Sequence, residues 1–135
     1  MKYLGIDYGE KRIGIAVSDD SGIIAFPHAT IENTSSTLFE IKKICDAEKA
    51  AHIIIGMPML IGEVSPLMRT IQRFGEALER FVEIPVAYEN EIFTTKMATQ
   101  GGAKKNTVDQ SSAALILQSY LDRPEEEDSV QIPLP

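Results

Sequence analysis

Residues 1–20, MKYLGIDYGEKRIGIAVSDD, decide the fold. Two apolar runs, residues 3–6 and 13–17, flank a short polar connector containing Gly9, Glu10, Lys11 and Arg12. That is how a strand, a tight turn and a second strand are written, so the chain opens as a β-hairpin. The two-residue period of a strand puts Leu4 and Ile6 on one face and Tyr3, Gly5 and Asp7 on the other. Asp7 ends the strand, and a carboxylate is thereby delivered to the rim of the sheet. On physics alone, the alternative that Asp7 merely caps the turn weighs about equally.

Outward from the hairpin, residues 22–30 (GIIAFPHAT) read as a third strand, which Pro27 confines to an edge or a bulge because proline has no N–H for the ladder. Residues 34–49 carry Leu38, Ile41 and Cys45 at helical spacing after the candidate caps Thr34, Ser35 and Ser36. Residues 52–57 (HIIIGM) form a nearly continuous apolar run, the mark of a central parallel strand covered on both faces. Residues 62–66 form a loop, and Ser65-Pro66 opens a long helix with an N-cap followed by proline at the first helical position. Leu67, Ile71, Phe74, Leu78 and Val82 mark its inward stripe, with Arg69, Arg73 and Arg80 on the other face.

Residues 85–89 give another strand and residues 92–100 a short helix. Residues 101–107 (GGAKKNT) have the composition of a loop. Thr107 and Gln110 make a capping-box pattern for a last helix over residues 108–121. The order β-β-β-α-β-α-β-α-α predicts a mixed α/β sheet, three antiparallel strands and then two parallel ones, with helices on both faces. It is the order of the RNase H-like fold.

The whole chain of 135 residues suits one domain. We place that domain at residues 1–122 and a disordered tail at 123–135, where Glu125, Glu126, Glu127 and Asp128 stand among prolines. The net charge of −7 excludes a protein that coats nucleic acid through a broad positive field. The tail contributes −3, so the body is still acidic and any nucleic-acid site is a local patch. No apolar run approaches the roughly 20 residues of a membrane span. There is no signal-peptide pattern, and the single Cys45 has no internal partner, so the expected compartment is a reducing cytoplasm.

Two further carboxylate positions stand out. On the last helix Asp109, Ala113, Ile116, Leu117 and Tyr120 share one stripe, which turns Asp109 toward the sheet; the plainer alternative is an acid that complements the helix dipole. At the end of the last strand, alternation puts Glu89 and Glu91 on one face and does not choose between them. Carboxylates converging on one rim need a divalent cation among them, and hard oxygen ligands suit Mg²⁺ or Mn²⁺.

The opening D-Y-G-E-K-R-I-G-I-A-V-S-D resembles the N-terminal signature of the YqgF (RuvX) family of pre-16S rRNA nucleases, which have an RNase H-like, Holliday-junction-resolvase-like fold. IIIGMPM is similar to that family's strand followed by G-[LM]-P, and KNTVDQSSAALILQSYLD to its C-terminal helix, with Asp109 at the acidic position. The family's D-E-R-[LF]-[ST]-T falls on residues 90–95, so the resemblance selects Glu91 over Glu89. Asn90 and Ile92 depart from it, standing where the family has Asp and Arg. The resemblance implies an endonuclease of structured RNA, with Asp7, Glu91 and Asp109 holding Mg²⁺ or Mn²⁺. Lys11, Arg12, Lys104 and Lys105 would contact phosphates. The alternatives are a Holliday-junction resolvase acting on branched DNA as a homodimer, and a binding module of weakened activity; a monomer suits the RNA reading equally well.

Overall fold

The computed structural model describes residues 1–59, 64–90 and 105–123; of residues 105–111 it describes the backbone only. Five strands form one sheet: β1 (Lys2–Asp7), β2 (Arg12–Ser18), β3 (Ala25–Glu32), β4 (Ala50–Met57) and β5 (Val86–Asn90). Three helices accompany them: α1 (Thr37–Glu48), α2 (Pro66–Val82) and α3 (Lys105–Leu121). The strand order is β3-β2-β1-β4-β5. β1 pairs antiparallel with β2 and β2 with β3, whereas β4 runs parallel to both β1 and β5. The sheet is therefore mixed, as the order of apolar runs implied, and β1 is the strand at which its direction changes.

β3 lies at the edge and carries the irregularity that Pro27 demands. Ile15 opposes Ala29 but Ala16 opposes Pro27, so His28 is the extra residue of a bulge. A proline at this place leaves no ladder N–H unpaired.

One face of the sheet presents Leu4, Ile6, Ile13, Ile15, Ile53 and Ile55 to Ile41 and Cys45 of α1 and to Ile71, Leu78 and Val82 of α2. On the other face Ala16 and Ile54 meet Ala113, Ile116 and Leu117 of α3. β4 supplies Ile53 and Ile55 to one layer and Ile54 to the other, which is why its sequence is apolar at every position instead of alternating. Among the described residues no helix is long and apolar enough to cross a membrane.

The helices show where the sequence pattern needs correction. Ser65 caps α2 as expected, its hydroxyl accepting the Met68 N–H at 3.1 Å. The buried stripe begins only at Ile71, and Leu67, in the first turn, is 46% exposed. Gly75 joins the stripe instead, because Tyr88 of β5 lies against it: a Cβ there would stand 2.3 Å from the Tyr88 hydroxyl oxygen. Ser36 occupies the N-cap of α1 without a side-chain cap; the nearby hydroxyl bond joins the Thr34 N–H to Thr37 Oγ1 at 2.8 Å. Helix α3 starts at Lys105, so Lys105, Asn106 and Thr107 belong to it and not to a loop or a cap. The capping-box pattern lies inside the helix, where Lys105 is a good helix former and extends it by a turn.

Cys45 is a core residue of α1, and burial pushes its thiol up to about 11, so it is protonated and inert at neutral pH. The short helix expected over residues 92–100, the glycine pair at 101–102 and the tail from residue 124 lie outside the described residues.

Candidate active site at the carboxyl ends of the strands

β1, β4 and β5 run parallel, so Asp7, Met57 and Asn90 come to the same end of the sheet. Ligand sites of open α/β sheets gather at these carboxyl ends. Leu4 and Ile6 are wholly buried on the α1–α2 side, and alternation therefore puts Gly5 and Asp7 on the α3 side. Asp7 is half-buried at the last position of β1. The pairings Ile6 with Ile55 and Gly56 with Glu89 extend one step to a cross-strand row of Asp7, Gly56 and Glu89. Two strand spacings, about 10 Å, separate the backbones of the two acids, with no side chain on Gly56 between them.

Glu89 is 4% exposed and committed to α3. Its Oε2 accepts the Ser119 hydroxyl at 2.6 Å, and its Oε1 pairs with the Arg123 guanidinium, which also lies over the Tyr120 ring. This carboxylate ties the last turn of α3 to β5. Sequence reasoning missed the arrangement, assigning Arg123 to the tail and finding in alternation no ground to separate Glu89 from Glu91, which only the resemblance did. The one legible signal was alternation, which places Glu89 on the same face as Ala87.

The turn that follows Asp7 is pinned from outside. The Asn33 backbone N–H donates to the Lys11 carbonyl at 2.9 Å and its Nδ2 to the Gly9 carbonyl at 2.8 Å. Lys11 and Arg12 are thus held, exposed, beside the strand end that bears Asp7. Asn33 also escaped the sequence analysis; an Asn just after a strand reads only as a turn residue.

Helix α3 approaches β1 closely because residue 5 is glycine. A Cβ there would lie 2.7 Å from Leu117 Cβ, closer than real contacts come, and 3.0 Å from the Ala113 carbonyl oxygen, tighter than most. Asp109 is one helical turn before Ala113. We expect Gly5→Ala to lower stability by about 1–3 kcal/mol, since backbone and Cβ atoms have little freedom to give way. A thermal melt should show a fall of several degrees. An unchanged melting temperature would mean that α3 is not set by this contact.

Among the described residues no three His, Cys, Asp or Glu side chains converge. The structure thus brings Asp7, the turn of Lys11 and Arg12, and the helix of Asp109 to one region. Glu91, Lys104 and the side chains of Asp109 and Lys105 lie outside the described residues. What is described fits a divalent cation in kind: a half-buried rim carboxylate, hard in its oxygen donors, whose neighbour on β4 is a glycine.

The family model described as RuvX, Holliday junction resolvase, matches residues 1–123. A protein of Nitratidesulfovibrio vulgaris named as a pre-16S rRNA nuclease is 39% identical, the match covering 93% of this chain and 96% of that protein. One of Lawsonia intracellularis with the same name is 37% identical over 94% and 97% of the two chains. Among solved structures, RuvC of Thermus thermophilus in complex with a Holliday junction substrate superposes with a TM-score of 0.60 at 13% identity, over 90% of this chain and 94% of that one. The fowlpox virus Holliday junction resolvase gives 0.54 at 14% identity, over 90% and 99%. At such identities the likeness is one of fold.

Proposed function

We infer what this chain does from the premise that it belongs to the RuvX family, whose model spans residues 1–123. It is a nuclease: a metal-dependent endonuclease that hydrolyses phosphodiesters of structured RNA, with the pre-16S rRNA named for its relatives as the substrate. One observation carries this reading, the rim carboxylate Asp7 on the strand against which Gly5 admits the helix of Asp109.

Asp7, Glu91 and Asp109 are the residues that would hold Mg²⁺ or Mn²⁺. The chemistry such a cation would supply there is polarisation of the phosphodiester and a lowered pKa of water. Lys11 and Arg12, on the turn braced by Asn33, bind the phosphate backbone next to the rim, and Lys104 and Lys105 are the further phosphate contacts. Glu89 takes no part in the chemistry; with Ser119 and Arg123 it holds α3 in place.

The test is cleavage of a structured RNA and of a four-way branched DNA by the purified chain in Mg²⁺ or Mn²⁺ and in EDTA. We expect metal-dependent cuts in the RNA. Cutting of branched DNA alone would favour resolution of junctions, for which a dimer would present two sites. No cutting of either, with binding retained, would make the chain a binding module.

The departure at Ile92 offers a finer probe. Ile92→Arg should bind RNA about tenfold more tightly at low salt, because it adds one charge-assisted phosphate contact of about 1.5 kcal/mol. The gain should fade as salt rises, and Mn²⁺ affinity should hold. A weaker-binding variant would count against position 92 facing the substrate.

A further inference from the structure

On the outer side of α2, Arg69 and Arg73 line a cleft of about 350 Å³ together with Val64, Pro66 and Thr70. The two arginines are four residues apart, so they project from one face of the helix. Both are exposed, and among the described residues no carboxylate pairs with either. Glu76, three residues beyond Arg73, stands near enough in the helix to do so and does not. In a chain of net charge −7, two unneutralised guanidinium groups facing one cleft are an exception that a merely solvated helix face does not require. The Thr70 hydroxyl is already spent on the Pro66 carbonyl at 3.1 Å, so the arginines are the cleft's donors.

The cleft lies on the first turns of α2, at the end of the sheet that bears Asp7. α2 begins where the chain returns from the carboxyl end of β4, next to the carboxyl end of β1. Phe74, adjacent to Arg73, packs its ring 4.9 Å from that of Tyr8, the residue after Asp7. The rim therefore has cationic groups on two sides: Lys11 and Arg12 on the hairpin turn, and Arg69 and Arg73 on α2, across the sheet from α3.

We propose that the Arg69–Arg73 cleft holds a backbone phosphate of the substrate RNA, in the arm flanking the scissile bond, so that the bound strand is gripped on both sides of Asp7. The proposal rests on the nuclease reading and gives it a second contact with the substrate. Arginine suits this task because its fork binds phosphate oxygens in pairs, and a cleft of this size admits a phosphate with its sugar.

The test compares the wild type, Arg69→Gln/Arg73→Gln and Arg69→Lys/Arg73→Lys in binding a structured RNA in EDTA between 50 and 200 mM salt, together with Mn²⁺ titrations and melting curves. The Gln pair should melt as the wild type does and keep its Mn²⁺ affinity. It should bind RNA about tenfold more weakly, with a salt slope shallower by about one for each arginine lost. The Lys pair should keep the slope, because the charges remain, and lose only part of the affinity. A folded Gln pair with wild-type affinity and slope, in a protein whose RNA cleavage is still lost on Asp7→Asn, overturns the cleft and leaves the nuclease reading standing. A wild type that neither binds nor cuts the RNA overturns both. A change of slope seen with branched DNA and not with RNA overturns the assignment to RNA.

Discussion

Asp7→Asn should fold like the wild type yet neither bind Mn²⁺ nor cut RNA. The substitution keeps the size of the side chain at the half-buried end of β1, a position that contributes little to the core formed by Leu4 and Ile6 on the opposite face. It removes the charge that a hard cation needs. Changing a group that only supports a metal ligand commonly costs about 10–100-fold in affinity or activity, so loss of a ligand itself should exceed a hundredfold. Calorimetric titration with Mn²⁺ and a cleavage time course read the two effects separately. Wild-type metal affinity in the folded variant would return Asp7 to the role of a turn cap, and the family's chemistry would need another centre in this chain.

How much of this was legible follows from the range over which each feature is encoded. The hairpin, the apolar run of β4 and the Ser65-Pro66 start of α2 are local patterns, and the structure has all three. The edge position of β3 came from Pro27 alone, since one missing N–H excludes a central place. Leu67 and Gly75 were misread for one reason: a helical stripe records which residues could face inward, whereas the partner decides which do. Here that partner is Tyr88, from a strand thirteen residues on, whose hydroxyl occupies the space a Cβ at residue 75 would need. The strand period gave the face of Gly5, but nothing local marked it as the seat of Leu117, 112 positions later. Asp7 needed only the strand period. Glu89 and Glu91 needed a tertiary contact, and no spacing rule supplies one.

That contact gives the second large effect, a pair of neighbouring glutamates whose substitutions should fail in different ways. Glu91→Gln should abolish cleavage, by a factor similar to that for Asp7→Asn, while RNA binding and melting temperature stay near the wild type. It takes one carboxylate from the expected ligand set, and the basic contacts of Lys11 and Arg12 are untouched. Glu89→Gln should do the reverse. Removing one partner from a buried ion pair costs about 3–5 kcal/mol. The Arg123 side chain is 26% exposed and can turn to water, and the glutamine oxygen can still accept from Ser119, so about 1–3 kcal/mol is the expected loss. The melting temperature should fall by several degrees, and activity below that temperature should survive because the lost charge faces α3 and not a metal. Arg123→Ala in the Glu89→Gln background should add little further loss, since the pair is already broken; a full additive penalty would show that the two residues act independently. A stable, inactive Glu89→Gln beside an active Glu91→Gln would exchange their roles, and would mean that Glu89 leaves Arg123 for the cation when substrate binds.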